Sequence, residues 1–362
     1  MTRAHYLLMA GGTGGHVFPA LAVAKELLRR GAEVSWLGTS THIESKVVAG
    51  ENIPFYAISV KGVRGKHWLS KLSAPFMLVA AVFQAVNILL KVKPSVVIGF
   101  GGFVSAPGAL AAKLLNRKLI IHEQNAVAGT TNRLLARLAT KKLVGFDGSL
   151  PGALYVGNPV RNEIVALSQS NSKIRAVKKD TEEPVKLLII GGSLGAQALN
   201  KLVPAGLTLL PELLRPQVWH QTGKDKQIGL DKYYSNNHIS ARVTEFIDDM
   251  ATAYDWADLV ICRAGASTVS EISVAGLPAL FIPFPYAVDD HQSQNARWLV
   301  ARGAALEEQQ MTLTAERLAT VLQSLLQDKQ RLIDMAEAAK ALSLPEATVR
   351  VADICEEVAS AS

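Results

Sequence analysis

Two side chains in this 362-residue chain stand where acid–base chemistry is done. His16 falls between the glycine-rich turn Gly11-Gly-Thr-Gly-Gly15 and the start of a helical pattern. A core histidine is unusual there, and an imidazole can exchange protons near neutral pH. Glu123 directly follows the apolar run Leu119-Ile-Ile-His122, so its carboxylate is either solvated or catalytic. Asn125, Arg161 and Gln292 are single polar residues at strand ends or in loops, the kind that fix a ligand's orientation. A third group is Arg263-Ala-Gly-Ala-Ser-Thr-Val-Ser-Glu271, a small-residue turn between an apolar run and a helical pattern. Backbone N–H groups at such a helix start, together with the macrodipole, favour negative charge. Ser267 and Thr268 suit the N-cap, and Glu271 is expected in the first turn. The stretch is either a capped helix or a phosphate cradle with a carboxylate placed for a sugar hydroxyl.

Groups so scattered need a scaffold that gathers strand ends. Residues 6–10, 34–37, 95–98 and 119–122 read as strands. Helical patterns alternate with them, the first running from His16 to Arg30, with Pro19 in its opening turn and Gly31 at its end. The polar segment 168–184 lacks an apolar period and reads as a solvated connection. The pattern then restarts with strands at 185–190, 218–221, 243–247 and 258–262. Alternation of this kind predicts α/β halves, each a doubly wound parallel sheet, with ligands beyond the carboxyl ends of the strands. The expected domains are 1–163 and 164–342, their active ends facing across a cleft. The last helix, within 343–362, is expected to pack back on the first.

Hydrophobic content of 49% and charged content of 19% describe a globular chain with large cores. Cys262 and Cys355 give neither a disulfide framework nor metal spacing. The apolar part of the N-terminus is too short for a signal peptide. Net charge is +7 with a pI near 9.3, which suits an anionic partner. Nucleic acid is the weakest of these, because no basic run is interleaved with aromatics. The uncharged stretch 72–90 is long enough to span a bilayer, but Ser73, Gln84, Asn87 and Lys91 form a polar stripe away from Phe76, Val79, Phe83 and Leu90. That pattern is an amphipathic helix. Its apolar face either packs on a core or, with Trp68 and neighbouring lysines and arginines, rests on an anionic membrane.

The glycine turns exclude several chemistries. Gly12-Thr-Gly14 begins like a dinucleotide fingerprint, but Val17 stands at the third glycine position. No acidic residue stands directly after the second strand of either half, where Gly38-Thr-Ser40 and Thr222-Gly-Lys224 are found. The phosphate-binding G-x-x-x-x-G-K-[ST] loop is missing. What remains is two turns that let a phosphate or sugar approach the backbone.

These motifs converge. Gly11-Gly-Thr-Gly-Gly-His-Val-Phe-Pro19, Gly101-Gly-Phe-Val-Ser105, His122-Glu-Gln-Asn-Ala126 and Gly157-Asn-Pro-Val-Arg161 resemble the MurG family of bacterial peptidoglycan glycosyltransferases. So do His220-Gln-Thr-Gly-Lys224, Val243 to Met250, Ser267-Thr-Val-Ser-Glu271 and Asp289-Asp-His-Gln-Ser-Gln-Asn295. The resemblance implies a GT-B architecture and inverting transfer of N-acetylglucosamine from UDP-GlcNAc to the muramoyl C4 hydroxyl of lipid I, undecaprenyl-diphospho-MurNAc-pentapeptide. No cofactor and no metal are implied, and the setting is the cytoplasmic face of the inner membrane. By the same resemblance, the Ile247 backbone meets uracil and Glu271 the ribose hydroxyls. Ala266, Ser267, Thr268, Val269 and Ser270 bind the diphosphate with Ser193 and Arg161, while Gln292 meets the sugar. Thr13, Gly14, Gly15 and Asn125 meet the donor sugar or the acceptor diphosphate, and His16 and Glu123 are the base candidates. The sequence departs from the family at Leu194 and His291, where other members carry glutamine. Two other classes share these features: a UDP-sugar transferase with another acceptor, and a non-catalytic nucleotide-sugar binder.

Overall fold

The computed structural model describes residues 3–60, 68–169, 183–192, 195–227 and 229–361, excepting the side chains of 68–74 and 288. The chain divides into two units: Met1–Arg161 with Leu344–Ser362, and Asn162–Ser343. In the first unit, β1 (His5–Ala10), β2 (Glu33–Gly38), β3 (Phe55–Ala57), β4 (Val96–Gly101), β5 (Lys118–Glu123), β6 (Lys141–Val144) and β7 (Leu154–Tyr155) form one sheet. Its order is β3-β2-β1-β4-β5-β6-β7, with every pairing parallel. In the second, β8 (Lys186–Ile190), β9 (Gln217–Gln221), β10 (Ala241–Thr244), β11 (Leu259–Cys262), β12 (Ala279–Phe281) and β13 (Ala305–Glu307) run β10-β9-β8-β11-β12-β13, again all parallel. Strand order reverses beside β1 and beside β8, which makes two switch points of the doubly wound type.

Burial on both faces explains why these strands are apolar runs and not alternating ones. In β1, Tyr6, Leu8 and Ala10 pack towards helices Gly14–Arg29 and Ala347–Ser360. Leu7 and Met9 point the other way, into a layer that includes Ala81, Ala85 and Leu89 of helix Trp68–Val92. The C-terminal helix is fastened by Arg30, which donates at 2.7 Å to both Asp353 and Glu356 while its Nε bonds Glu26 at 2.8 Å. Lys118 Nζ adds a bond to the Val358 carbonyl.

Two local expectations change. Helix Gly14–Arg29 begins two residues before His16, so Pro19 sits inside it and not in its first turn. Strand β10 ends at Thr244, which leaves Ile247 in the loop beyond. Helix Trp68–Val92 meets the core through Ala81, Ala85 and Leu89, one residue per turn, with Val86 and Ile88 packed against the same layer. Phe76 is 80% exposed and Phe83 67%, with Val79 and Leu90 exposed beside them. Within it, the 18-residue window Pro75–Val92 has a mean hydropathy of 1.8, long and apolar enough to cross a membrane by length and composition. The side chains of Trp68 and Ser73 lie outside the described residues.

Candidate active site

At the carboxyl end of the first sheet, two glycine turns meet. The register of β1 on β4 shifts between Met9 and Ala10, and Gly101 and Gly102 follow with φ of +107° and +81°. A Cβ on Gly102 would stand 2.1 Å from the Gly11 carbonyl oxygen, so only glycine lets the turns approach this closely. The first turn is held from beneath by Glu44, which is fully buried. Its carboxylate accepts from Gly12 N–H at 3.1 Å and from the Thr39 N–H and hydroxyl at 3.1 and 2.6 Å. Thr13 is the N-cap of helix Gly14–Arg29 and makes no side-chain cap bond.

His16 projects from the first turn of that helix and is partly exposed. Its Nδ1 lies 2.8 Å from Gln124 Oε1, and its ring lies against Gly101. Behind it, Gln124 Nε2 donates to His122 Nδ1 at 3.1 Å and to the His122 carbonyl at 3.0 Å. His122 Nε2 lies 2.9 Å from the Gly157 carbonyl, and its ring stacks on Phe100. Burial pushes the His122 imidazole down to about 4, so it is neutral near physiological pH. Arg161 holds its guanidinium 5.3 Å from the centre of the Phe18 ring.

Glu123 is 1% exposed and both of its oxygens are engaged. Oε1 accepts from the Asn125 backbone N–H at 2.9 Å and from Asn125 Nδ2 at 3.1 Å. Oε2 accepts from Gly129 N–H at 3.0 Å and Asn132 Nδ2 at 2.9 Å. The carboxylate is turned into its own loop, which it closes, and Asn125 is oriented by it.

In the second unit, helix Ala266–Ala275 follows β11 directly, and its N-cap is Gly265. This corrects the expected cap: Ser267 and Thr268 lie inside the first turn, and Glu271 lies one turn deeper than a capping box requires. No cap side chain bonds the first-turn N–H groups. Glu271 is nearly buried and accepts from the Tyr254 hydroxyl at 3.1 Å. Val269 is buried. Arg263 donates to the Ile282 and Pro283 carbonyls and to Gln310, and so braces the turn from behind. Asn295 Nδ2 bonds the Ala264 carbonyl at 3.1 Å, tying helix His291–Val300 to the same turn. Gln292 Oε1 accepts from Phe284 N–H at 2.9 Å, so the donor end of its amide is not used in that bond. Two consecutive aspartates with positive φ, Asp289 and Asp290, precede this helix.

The first unit therefore gathers Thr13, Gly14, Gly15, His16, Glu123, Asn125 and Arg161 around one sheet end, and the second gathers Ala266 to Glu271 with Gln292. Ser193 and Leu194 lie outside the described residues. Sequence reasoning missed Glu44, Tyr254 and the role of Gln124. Nothing marks the first two, since a lone acid or tyrosine in a short helix has many ordinary explanations.

Two family models match the chain: the glycosyltransferase family 28 N-terminal domain over residues 6–144, and the family 28 C-terminal domain over residues 186–353. With its two parallel-sheet units, the chain is a GT-B glycosyltransferase and belongs to family 28. Within that family it is similar to the MurG enzymes. A UDP-N-acetylglucosamine–N-acetylmuramyl-(pentapeptide) pyrophosphoryl-undecaprenol N-acetylglucosamine transferase from Cellvibrio japonicus is 51% identical, covering 98% of both chains. The protein of the same name from Alkalilimnicola ehrlichii is 50% identical over the same shares. The crystal structure of Acinetobacter baumannii MurG superposes with a TM-score of 0.82 at 40% identity, covering 98% of this chain and 99% of that one.

Proposed function

We propose that this chain transfers N-acetylglucosamine from UDP-GlcNAc to the C4 hydroxyl of the muramoyl unit of lipid I, with inversion at the anomeric carbon and without a metal ion. The observations that carry the reading are, in the first unit, a histidine at the switch point and, in the second, a helix that starts just beyond β11 with a glycine as its N-cap. His16 removes the hydroxyl proton, the oxygen attacks C1 from the face opposite UDP, and the C1–O bond breaks towards the diphosphate. The leaving charge falls on the backbone donors of Ala266, Ser267, Thr268, Val269 and Ser270, with Arg161 and Ser193 assisting. Each favourable charge at a helix start is worth ~0.3–2 kcal/mol, so several donors must act together. Glu271, oriented by Tyr254, takes the ribose hydroxyls, and the Ile247 backbone takes uracil. Gln292 offers its Nε2 to a sugar hydroxyl. Thr13, Gly14, Gly15 and Asn125 line the sugar or the acceptor diphosphate. Glu123 is an anchor in this reading: a base would have to give up bonds its loop depends on.

Donors of this kind hold a diphosphate without a divalent cation, and chelator should leave turnover intact. The acceptor is a membrane lipid, and the exposed Phe76, Val79 and Phe83, with Trp68 on the same helix, are the surface that reaches it. Burying one such phenylalanine in lipid contributes ~1.5–3 kcal/mol. The positive net charge adds attraction to an anionic leaflet, here the cytoplasmic face of the inner membrane. The test is UDP release from UDP-GlcNAc by the full chain with lipid I, with other lipid acceptors, and with none. Release that requires lipid I supports the reading. Equal release with an unrelated acceptor points to a different transferase, and donor binding without release points to a binding protein.

A further inference from the structure

The polar chain behind His16 has a fixed direction. It starts at the Gly157 carbonyl, which can only accept, so the proton of His122 sits on Nε2 at 2.9 Å. His122 is wholly buried and neutral, so its Nδ1 carries a lone pair. That lone pair and the His122 carbonyl both face the same end of Gln124, which must therefore be its NH2 group. The other end, Oε1, is then the acceptor turned to His16 Nδ1 at 2.8 Å. Further bonds lock the frame: Asn158 Nδ2 donates to the Gln124 carbonyl at 3.0 Å and Asn132 Nδ2 to the His122 carbonyl at 3.2 Å.

We propose that Gln124, backed by His122 and the Gly157 carbonyl, is a positioning residue that holds neutral His16 in the Nδ1–H tautomer, so that Nε2 is the atom that takes the acceptor's proton. The inference rests on His16 being the base. In the step, the C4 hydroxyl proton moves to Nε2, the hydroxyl oxygen bonds C1, and the C1–O electron pair leaves with UDP. The resulting imidazolium keeps its Nδ1–H on Gln124. Because the amide is neutral, it selects the tautomer without adding a charge beside the ring.

The test is 15N NMR of the full chain labelled at histidine, with the His16 signals identified among the eight histidines by their loss in His16→Ala. At neutral pH, wild type should show a protonated Nδ1 and an unprotonated Nε2 at His16. The opposite tautomer overturns the inference. Gln124→Met, checked for folding by UDP-GlcNAc binding, should lower kcat about tenfold and leave the donor KM within about twofold. It should also mix the tautomers. If a folded Gln124→Met keeps both wild-type kcat and the wild-type spectrum, the relay does nothing. Full turnover in His16→Ala would instead remove the base reading, and the wild-type spectrum would still judge the tautomer.

Discussion

Replacing Glu123 by glutamine removes one of two acceptors that face four donors. The carboxylate bonds Asn125 through its N–H and Nδ2, and Gly129 N–H and Asn132 Nδ2 through its second oxygen. Glutamine satisfies one pair and sets an NH2 group against the other, in a site that is 1% exposed. Two hydrogen bonds to a charged acceptor are lost, each worth ~1.5–3 kcal/mol, and donors are left facing a donor. Removing a buried charge offsets part of this, so the net destabilisation should be about 2–4 kcal/mol. Urea unfolding at pH 7, followed by fluorescence of the buried Trp36, reads it as a lower midpoint. A carboxylate serving as the base would behave otherwise: unchanged stability with turnover down about 10³-fold or more. That outcome would refute the anchor assignment and return Glu123 to the reacting proton.

Burial holds His122 down to about 4 and His220 down to about 3, against 6.5 in an unfolded chain. Below pH 6.5 the unfolded chain binds protons that the folded one does not, so stability falls as pH drops towards those values, by up to ~1.4 kcal/mol per pH unit for each ring. Urea midpoints equal at pH 7 and pH 5 would contradict this. Gly102→Ala puts a Cβ on the Gly11 carbonyl at a φ of +81°, and should cost about 2 kcal/mol or more together with most turnover; a wild-type midpoint would show that the turns are not in contact. The double variant Phe76→Glu, Phe83→Glu should reduce binding to anionic liposomes at least about tenfold without lowering stability, because both rings are exposed. Undiminished co-sedimentation would place membrane contact elsewhere.

Much of the fold is legible because strands buried on both faces are long apolar runs. Residues 6–10, 119–122 and 258–262 stand out for that reason, and the glycine turns that follow them mark the ligand end. The short strands β3, β6, β7, β12 and β13 are not legible. With two to four residues each, they lack a run long enough to register. The site divides in the same way. His16 and the helix start at Ala266 announce themselves by position, whereas Glu44, Gln124 and Tyr254 act through pairings over 32, 108 and 17 residues. The cap at Gly265 was obscured because Ser267 and Thr268 are better caps by type, while the chain turns at the glycine two residues earlier. For helix Trp68–Val92 the amphipathic pattern left two readings open, and the structure packs Ala81, Ala85 and Leu89 on the core while Phe76, Val79 and Phe83 stay exposed.

The central claim is that His16 removes the proton in a transfer whose donor is held by the other unit. Labelled N-acetylglucosamine transfer to lipid I, measured beside UDP-GlcNAc binding in wild type and in His16→Ala, tests it most directly. The account predicts turnover reduced by about 10² or more in the variant with donor affinity within a few-fold of wild type. Near-normal transfer by His16→Ala would contradict it.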